Sequence, residues 1–226
     1  MWRQDLDARG FAIIPSVISP KEISHFLGKL DWYPLRRSRA GVRHALSVPP
    51  VASLAQDPKL LRIAEIVFDA GAMPFRATLF EKSVRANWLV AWHQDTALPL
   101  RERHEVPDWG PWSVKDGVNY AHAPGTVLSH VVALRVHLDD SAKENGSLRV
   151  LPGTHSHGVL TDEQIRGLAA EVPPEECLVP CGGILVMRPL LVHSSSKARN
   201  KNPRRVLHIE YATSLAIADG LELAIA

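Results

Sequence analysis

Apolar positions recur at helical spacing in the first third of the chain and at strand spacing beyond it, with the change falling near residue 73. The apolar run 11–17 leads into Ser19-Pro20-Lys21-Glu22, where a Ser cap, a Pro at the first helical position and a Glu three after the cap predict a helix start. Ile23, Phe26, Leu27 and Leu30 then give that helix one buried stripe. Asp57-Pro58 repeats the start signal, and Leu60, Leu61, Ile63, Ala64 and Val67 carry a second helix towards Gly71. Thr161 with Gln164 makes a further capping box and predicts a third, short helix. From about residue 74 onward the grammar is one of short β-branched and apolar runs separated by Gly, Pro and Asn, which predicts strands over 74–82, 88–92, 131–138, 147–151, 183–187, 190–193 and 205–211. Helices followed by many short strands predict a β-sandwich or barrel with a helical layer on one face.

One stretch, 98–129, breaks the pattern: it is long, rich in Pro, Gly and charge, and without periodicity. Trp109 and Trp112 within it favour a lid over a pocket rather than a disordered segment, because a closing loop gains from burying two indoles. With 226 residues, 46% of them hydrophobic, the chain can fill one core, so a single domain over 1–226 is expected. Its helical part runs over about 1–72 and its β core over about 73–213.

Charge narrows the partners. A formal net charge of +2 provides no broad field to hold nucleic acid or an anionic membrane, so a small-molecule substrate is expected. The apolar runs 131–134 and 183–187 fall short of a bilayer span, and Met1-Trp2-Arg3-Gln4-Asp5 does not open like a signal peptide. Cys177 and Cys181 lack the second pair that a zinc site needs and read as reduced thiols flanking a turn, which fits a cytoplasmic protein. Oligomeric state leaves no mark on the sequence.

The candidate chemistry begins at Trp92-His93-Gln94-Asp95, where an imidazole and a carboxylate two residues apart share one side of an extended chain. Alone this is a common coincidence. Downstream, His193 ends an apolar strand and Arg204 follows eleven residues later. Two His and one carboxylate on one face of iron(II) leave the opposite positions open, as oxygen activation requires. A guanidinium nearby would grip the distal carboxylate of a 2-oxo acid whose other end chelates the metal.

These segments, with Leu138-Asp139-Asp140 and the run from Asn145-Gly146-Ser147 to Pro152-Gly153-Thr154-His155, resemble the phytanoyl-CoA dioxygenase family of iron(II)- and 2-oxoglutarate-dependent oxygenases over most of the chain. The resemblance implies a double-stranded β-helix (jelly roll, cupin-like) with N-terminal helices packed on one sheet. It implies iron(II) held by His93, Asp95 and His193, and 2-oxoglutarate held through its far carboxylate by Arg204 and Ser195, with O2 as the oxidant. Arg205 competes with Arg204; spacing from His193 favours Arg204, and alternation points its neighbour the other way. The position that lines the cosubstrate pocket in relatives is Arg135 here, a departure from their neutral side chains. It would either add a second clamp on 2-oxoglutarate or recognise an anionic substrate.

Arg76, Thr78, Phe80 and Lys82 alternate onto one face of their strand, where the family also places pocket residues; for Arg76 and Lys82 a solvated sheet face is the competing reading. Arg188 carries the same ambiguity, and His137, on the Arg135 side of its strand, is a further candidate for substrate contact together with Trp112. His155 and His157 close a structural turn segment and are read as structural or surface residues. His104, His122 and His130 sit in or beside the 98–129 insertion with nothing to select among them. The implied activity is hydroxylation of a small organic molecule with release of succinate and CO2, and the Arg76, Arg135 and Arg188 set points to a substrate that carries a carboxylate or phosphate. In the halogenating variant a small residue makes room for halide, so Asp95 argues for hydroxylation. Two rival readings share the ligand set: a non-oxidative metal-dependent hydrolase or isomerase, and a catalytically silent metal-binding relative.

Overall fold

The computed structural model describes residues 2–38, 41–83, 86–217 and 220–226. The helices are α1 (Trp2–Arg9), α2 (Pro20–Leu30), α3 (Pro49–Ala55), α4 (Pro58–Phe68), α5 (Gly125–Leu128) and α6 (Asp162–Glu171). Those foreseen from capping signals start where the caps stand. The Ser19 side chain accepts from the Glu22 N–H while the Glu22 carboxylate accepts from the Ser19 N–H, and Thr161 and Gln164 repeat the exchange ahead of α6. Asp57 caps α4 by accepting from the Lys59 N–H. Of the others, α3 has no side-chain cap bond and α1 is polar almost throughout, which left them without a sequence signal.

The strands are β1 (Phe11–Ile14), β2 (Met73–Lys82), β3 (Val90–His93), β4 (Ala97–Leu100), β5 (Trp112–Lys115), β6 (Val118–His122), β7 (Val131–His137), β8 (Leu148–Val150), β9 (Glu175–Cys177), β10 (Ile184–Met187), β11 (His193–Ser195) and β12 (Arg204–Ala212). They build a five-stranded sheet in the order β1-β10-β7-β12-β2 and a four-stranded sheet in the order β3-β11-β8-β9, both antiparallel. These are the two faces of a jelly roll.

Period-two alternation divides the five-stranded sheet cleanly. One face carries Ala77 and Leu79 from β2, Val132, Leu134 and Val136 from β7, and Leu207, Ile209 and Tyr211 from β12. These pack against Ile23, Phe26, Leu60, Ile63 and Val67 of α2 and α4 in one apolar cluster. Tyr211 adds a hydrogen bond from its hydroxyl to the Ala55 carbonyl at 2.9 Å, tying β12 to α3. The other face turns inward and carries charge, as described below.

Segment 98–129, expected to be a lid-like insertion with little regular structure, is ordered. It holds β4, β5 and β6 in a three-stranded antiparallel sheet, then α5. Leu98, Leu100, Trp109, Ala121 and Leu128 are buried in a second apolar cluster with Phe75, Leu221 and Leu223. Pro and charge interrupted its periodicity, while tertiary partners supplied the missing ladder. The strand expected at 190–193 starts three residues later, at His193, because Leu191 N–H closes a turn on Arg188 C=O and pairing begins only there.

Gly146 sits at φ +75° beside this inner space, and a Cβ there would lie 2.5 Å from Ser196 O. Asn145 fixes the turn by accepting from the Ala142 N–H and donating to Asp140 C=O, both at 2.8 Å. Gly146→Ala combines left-handed strain with this clash, so a loss of about 2 kcal/mol or more in urea unfolding is expected, against about 0.5 kcal/mol for a surface Gly without either constraint.

Candidate metal centre and anion pocket

β3 and β11 are antiparallel neighbours, and their register sets His93 directly opposite His193. Side chains opposite one another share a face, so the ring centroids approach to 4.2 Å. Asp95 follows β3, its N–H bonded to Pro189 C=O at 2.9 Å, which brings the carboxylate to the imidazoles. Its oxygens lie 3.7 Å from His93 Nε2 and 3.5 Å from His193 Nε2. One ligand atom from each of the three falls within 4.8 Å of the others. In both histidines Nδ1 lies against the carbonyl two residues earlier, Ala91 O at 2.8 Å and Leu191 O at 2.9 Å. A proton held there leaves Nε2 with its lone pair aimed at the shared point.

Burial, reinforced by the neighbouring His93, pushes His193 down to about 4 against the pull of Asp95, so it is neutral near pH 7 and able to ligate. Burial works to raise the Asp95 carboxyl, but the imidazoles of His193 and His93 override it and hold it well below the usual carboxylate range. Two ring nitrogens and one carboxylate on a single face suit a divalent ion such as iron(II) and leave its other side open. The His93 side chain is 40% exposed and that of His193 only 3%, so the centre opens on the β3 side.

A cavity of about 90 Å³ runs from these ligands to the ends of β2 and β12. Phe80, Trp88 and Leu148 give it apolar walls, and Lys82, Arg135, Ser195 and Arg204 make its far end basic. Arg204 is buried, its Nη2 3.4 Å from Ser195 Oγ, with Nε and Nη1 unpartnered. Burial and the neighbouring Arg135 push it down to about 9. Ser195 Oγ donates to Gly146 C=O at 2.9 Å. Arg205 points to the opposite face and grips Asp139 through Nε at 2.8 Å and Nη2 at 2.7 Å, which separates the two competing arginines by alternation alone. Arg135 reaches His208 Nδ1 at 3.0 Å and stacks 5.3 Å over Phe80.

Lys82 is a wall of this cavity and not a solvated residue: it is 2% exposed, and its Nζ donates to Ser195 Oγ at 2.6 Å and to Ser196 C=O. Arg76 is also drawn inward, into an ion pair with Glu210 directly across the ladder and a bond to Ala97 C=O at 2.7 Å. His137 is buried with both ring nitrogens unpartnered, close enough to Arg135 and Arg204 for their charge to depress it further after burial, yet it does not line the cavity. Two further candidates also lie away from this cavity. Arg188 opens the turn before β11 and its guanidinium runs outward to Asp7 of α1 at 3.2 Å. Trp112 is held on β5 in the second apolar cluster, beneath Arg103, and does not line the cavity. His208 and Glu210 were missed, although they alternate with Arg204 and Val206 on β12; Trp88, outside its strand, offered no such signal.

A jelly roll with two histidines and a carboxylate at one end of its inner space, and a buried arginine behind them, defines the site class of non-haem metal oxygenases that use a 2-oxo acid. Residues 6–206 match the family model described as "Phytanoyl-CoA dioxygenase (PhyH)", and the chain belongs to this family of iron(II)- and 2-oxoglutarate-dependent oxygenases. A stretch of 138 residues is 27% identical to L-proline trans-4-hydroxylase of Streptomyces griseoviridis; it spans 50% of this chain and about half, 51%, of that enzyme. Among solved structures, AviO1 from Streptomyces viridochromogenes Tue57 superposes with a TM-score of 0.68 at 22% identity, covering 93% of each chain. The epimerase SnoN, in complex with Fe3+, alpha ketoglutarate and nogalamycin RO, gives 0.71 at 19% identity over 100% of this chain and 94% of its own. At these identities the structural likeness establishes the fold.

The buried cations have a measurable consequence without any ligand. Burial, with Arg204 and Arg135, pushes the Lys82 ammonium down to about 7 from 10.5. Above pH 7 the unfolded chain therefore holds a proton that the folded one has released, and stability rises with pH through that window. Urea unfolding of metal-free protein should show a gain of about 1.6 kcal/mol between pH 7 and 8.5, at most about 1.4 kcal/mol per pH unit. Lys82→Met should flatten it.

Proposed function

We propose that this chain hydroxylates a small organic substrate, with iron(II) on His93, Asp95 and His193 and 2-oxoglutarate held at its far carboxylate by Arg204 and Ser195. The observation that carries this reading is the pairing, within one small cavity, of a three-ligand face with a buried guanidinium whose Nε and Nη1 lack partners. Bound together, iron(II), 2-oxoglutarate and O2 supply the oxidising chemistry, with succinate and CO2 as by-products.

The protein's own residues orient and shield. Carbonyl contacts at Nδ1 fix both imidazoles, so the ligand face is set before the metal arrives. Asp95 fills the position that a halide would need, which supports hydroxylation over halogenation. Phe80, Trp88 and Leu148 exclude water from the space between metal and clamp. Lys115 lies close enough to Asp95 for its charge to be coupled to it, which supports an anionic substrate on the open side; Arg76, paired with Glu210, and Arg188, paired with Asp7, do not contribute to that case. A hydrolase or isomerase using the same three ligands would leave the buried Arg204 without a task.

Anaerobic addition of iron(II) and then 2-oxoglutarate should produce a weak visible charge-transfer band that His93→Ala abolishes. Succinate release over a panel of small carboxylated and phosphorylated metabolites should then identify substrates. An absent band together with tight zinc-dependent hydrolysis would replace this reading with the hydrolytic one. Arg135→Gln should raise the apparent KM for 2-oxoglutarate or for the substrate by about tenfold; unchanged values for both would remove Arg135 from the recognition of either.

A further inference from the structure

Residues that stand opposite one another in a ladder share a face, so the three-stranded sheet of β4, β5 and β6 sorts its side chains into two sets. One face carries Leu98, Leu100 and Ala121 and is buried with Trp112 in the second apolar cluster. The other carries Ser113 and Lys115 of β5 with Tyr120 and His122 of β6, and it lies against the metal end. Direct contacts hold it there. His122 Nδ1 lies 2.7 Å from Oγ1 of Thr96, the residue after Asp95. The Arg76 guanidinium sits 5.9 Å over the Tyr120 ring while it donates to Ala97 C=O.

Tyr120 is the fixed platform of this face. It is buried, its hydroxyl lies 3.1 Å from His44 Nε2, and the two rings stack with centroids 6.1 Å apart. His44 reaches it from a left-handed backbone, φ 53°, a conformation that residues other than Gly avoid. On this platform Lys115 Nζ lies 4.6 Å from the ring centroid. Among the described residues no hydrogen-bond acceptor or carboxylate engages that ammonium. The charges around it are already matched: Arg76 pairs with Glu210, Arg43 stands 3.8 Å from Asp116, and Asp95 belongs to the three-ligand face. Burial first, then Arg76 and Arg43, lower the Lys115 ammonium from the ordinary lysine range against the pull of Asp95. One positive charge beside the metal end is therefore left without a counter-charge.

We propose that Lys115 sets substrate specificity, its ammonium receiving a single carboxylate of the substrate while the Tyr120 ring, fixed by His44, holds that ammonium in place. The inference rests on the reading of the adjacent centre as an iron(II) and 2-oxoglutarate site, and it names the class of substrate for that site. One unmatched ammonium answers one negative charge, which a monocarboxylate carries and a phosphate ester, approaching two charges at neutral pH, exceeds. The placement also suits a recognition residue. β5 is an outer strand paired to β6 alone, so a side chain there can be exchanged without touching the ladders that carry the metal ligands.

The test titrates protein loaded with iron(II) and saturating 2-oxoglutarate, by anaerobic calorimetry. Its probes are straight-chain and ring monocarboxylates of about four to eight carbons, each beside its primary amide and the phosphate ester of matching length. In wild type at least one carboxylate should bind about tenfold tighter than its amide. Lys115→Met should bring that ratio to about one without weakening the amide, and Lys115→Arg should keep most of it. Affinities for the amide and for 2-oxoglutarate report an intact centre in each variant. A carboxylate preference that survives Lys115→Met would overturn the proposal. So would a wild type in which no carboxylate of the panel outbinds its amide, or one that prefers the phosphate ester. Wild-type protein that takes up iron(II) but no 2-oxoglutarate would bring down the functional reading and this inference together, whereas normal 2-oxoglutarate binding with any of those overturning results removes this inference alone.

Discussion

The structure depends on the antiparallel ladder in which β12 lies between β2 and β7. Because successive side chains alternate, this single ladder buries Leu207, Ile209 and Tyr211 under the helices while turning Arg204, His208 and Glu210 into the jelly roll. Its register then decides which charges meet. Glu210 falls opposite Arg76 and the two neutralise each other; Arg204 falls opposite Lys82 and they do not. A shift by one residue would send the apolar set inward and the charges into the helical layer, so the same hydrophobic burial that holds the helices fixes the chemistry of the cavity.

That interior is costly. Three buried cations without an acid partner do not arise from packing, since apolar residues of similar volume would be as stable or more so. The molecule tolerates them because the helix-facing side of the sheet is fully apolar and carries the folding free energy. Stability and function are thus divided between the two faces of one sheet. His93 and His193 belong to the opposite sheet, as does Ser195, while Lys82, Arg135 and Arg204 stand on the five-stranded sheet, so the cavity draws its lining from both.

Membership of the phytanoyl-CoA dioxygenase family and the jelly-roll likeness to AviO1 and SnoN place this chain on a scaffold whose relatives differ widely in what they act on. The geometry accounts for that latitude. His93, His193 and Arg204 stand on strands held by ladder pairing, whereas Arg76 and Lys115 lie near Asp95 from β2 and β5 and both meet the Tyr120 ring of β6. Such side chains can change without disturbing the register beneath.

The sequence by itself determined the parts governed by local rules. Capping boxes at Ser19 and Thr161 set helix starts, alternation set the inward faces of β2 and β12, and the spacing of His93, Asp95, His193 and Arg204 marked the site. Tertiary structure alone decided what depends on partners distant in the chain. Leu98 to Ser129 became a small sheet because β6 found β4 and β5 and a shared apolar cluster, which its interrupted pattern did not show. Lys82 entered the cavity and Arg188 left it for the same reason: a charged side chain goes where a neighbour can hold it, Ser195 in one case and Asp7 in the other. Local periodicity states which face a residue occupies, but only the ladder states what stands opposite it.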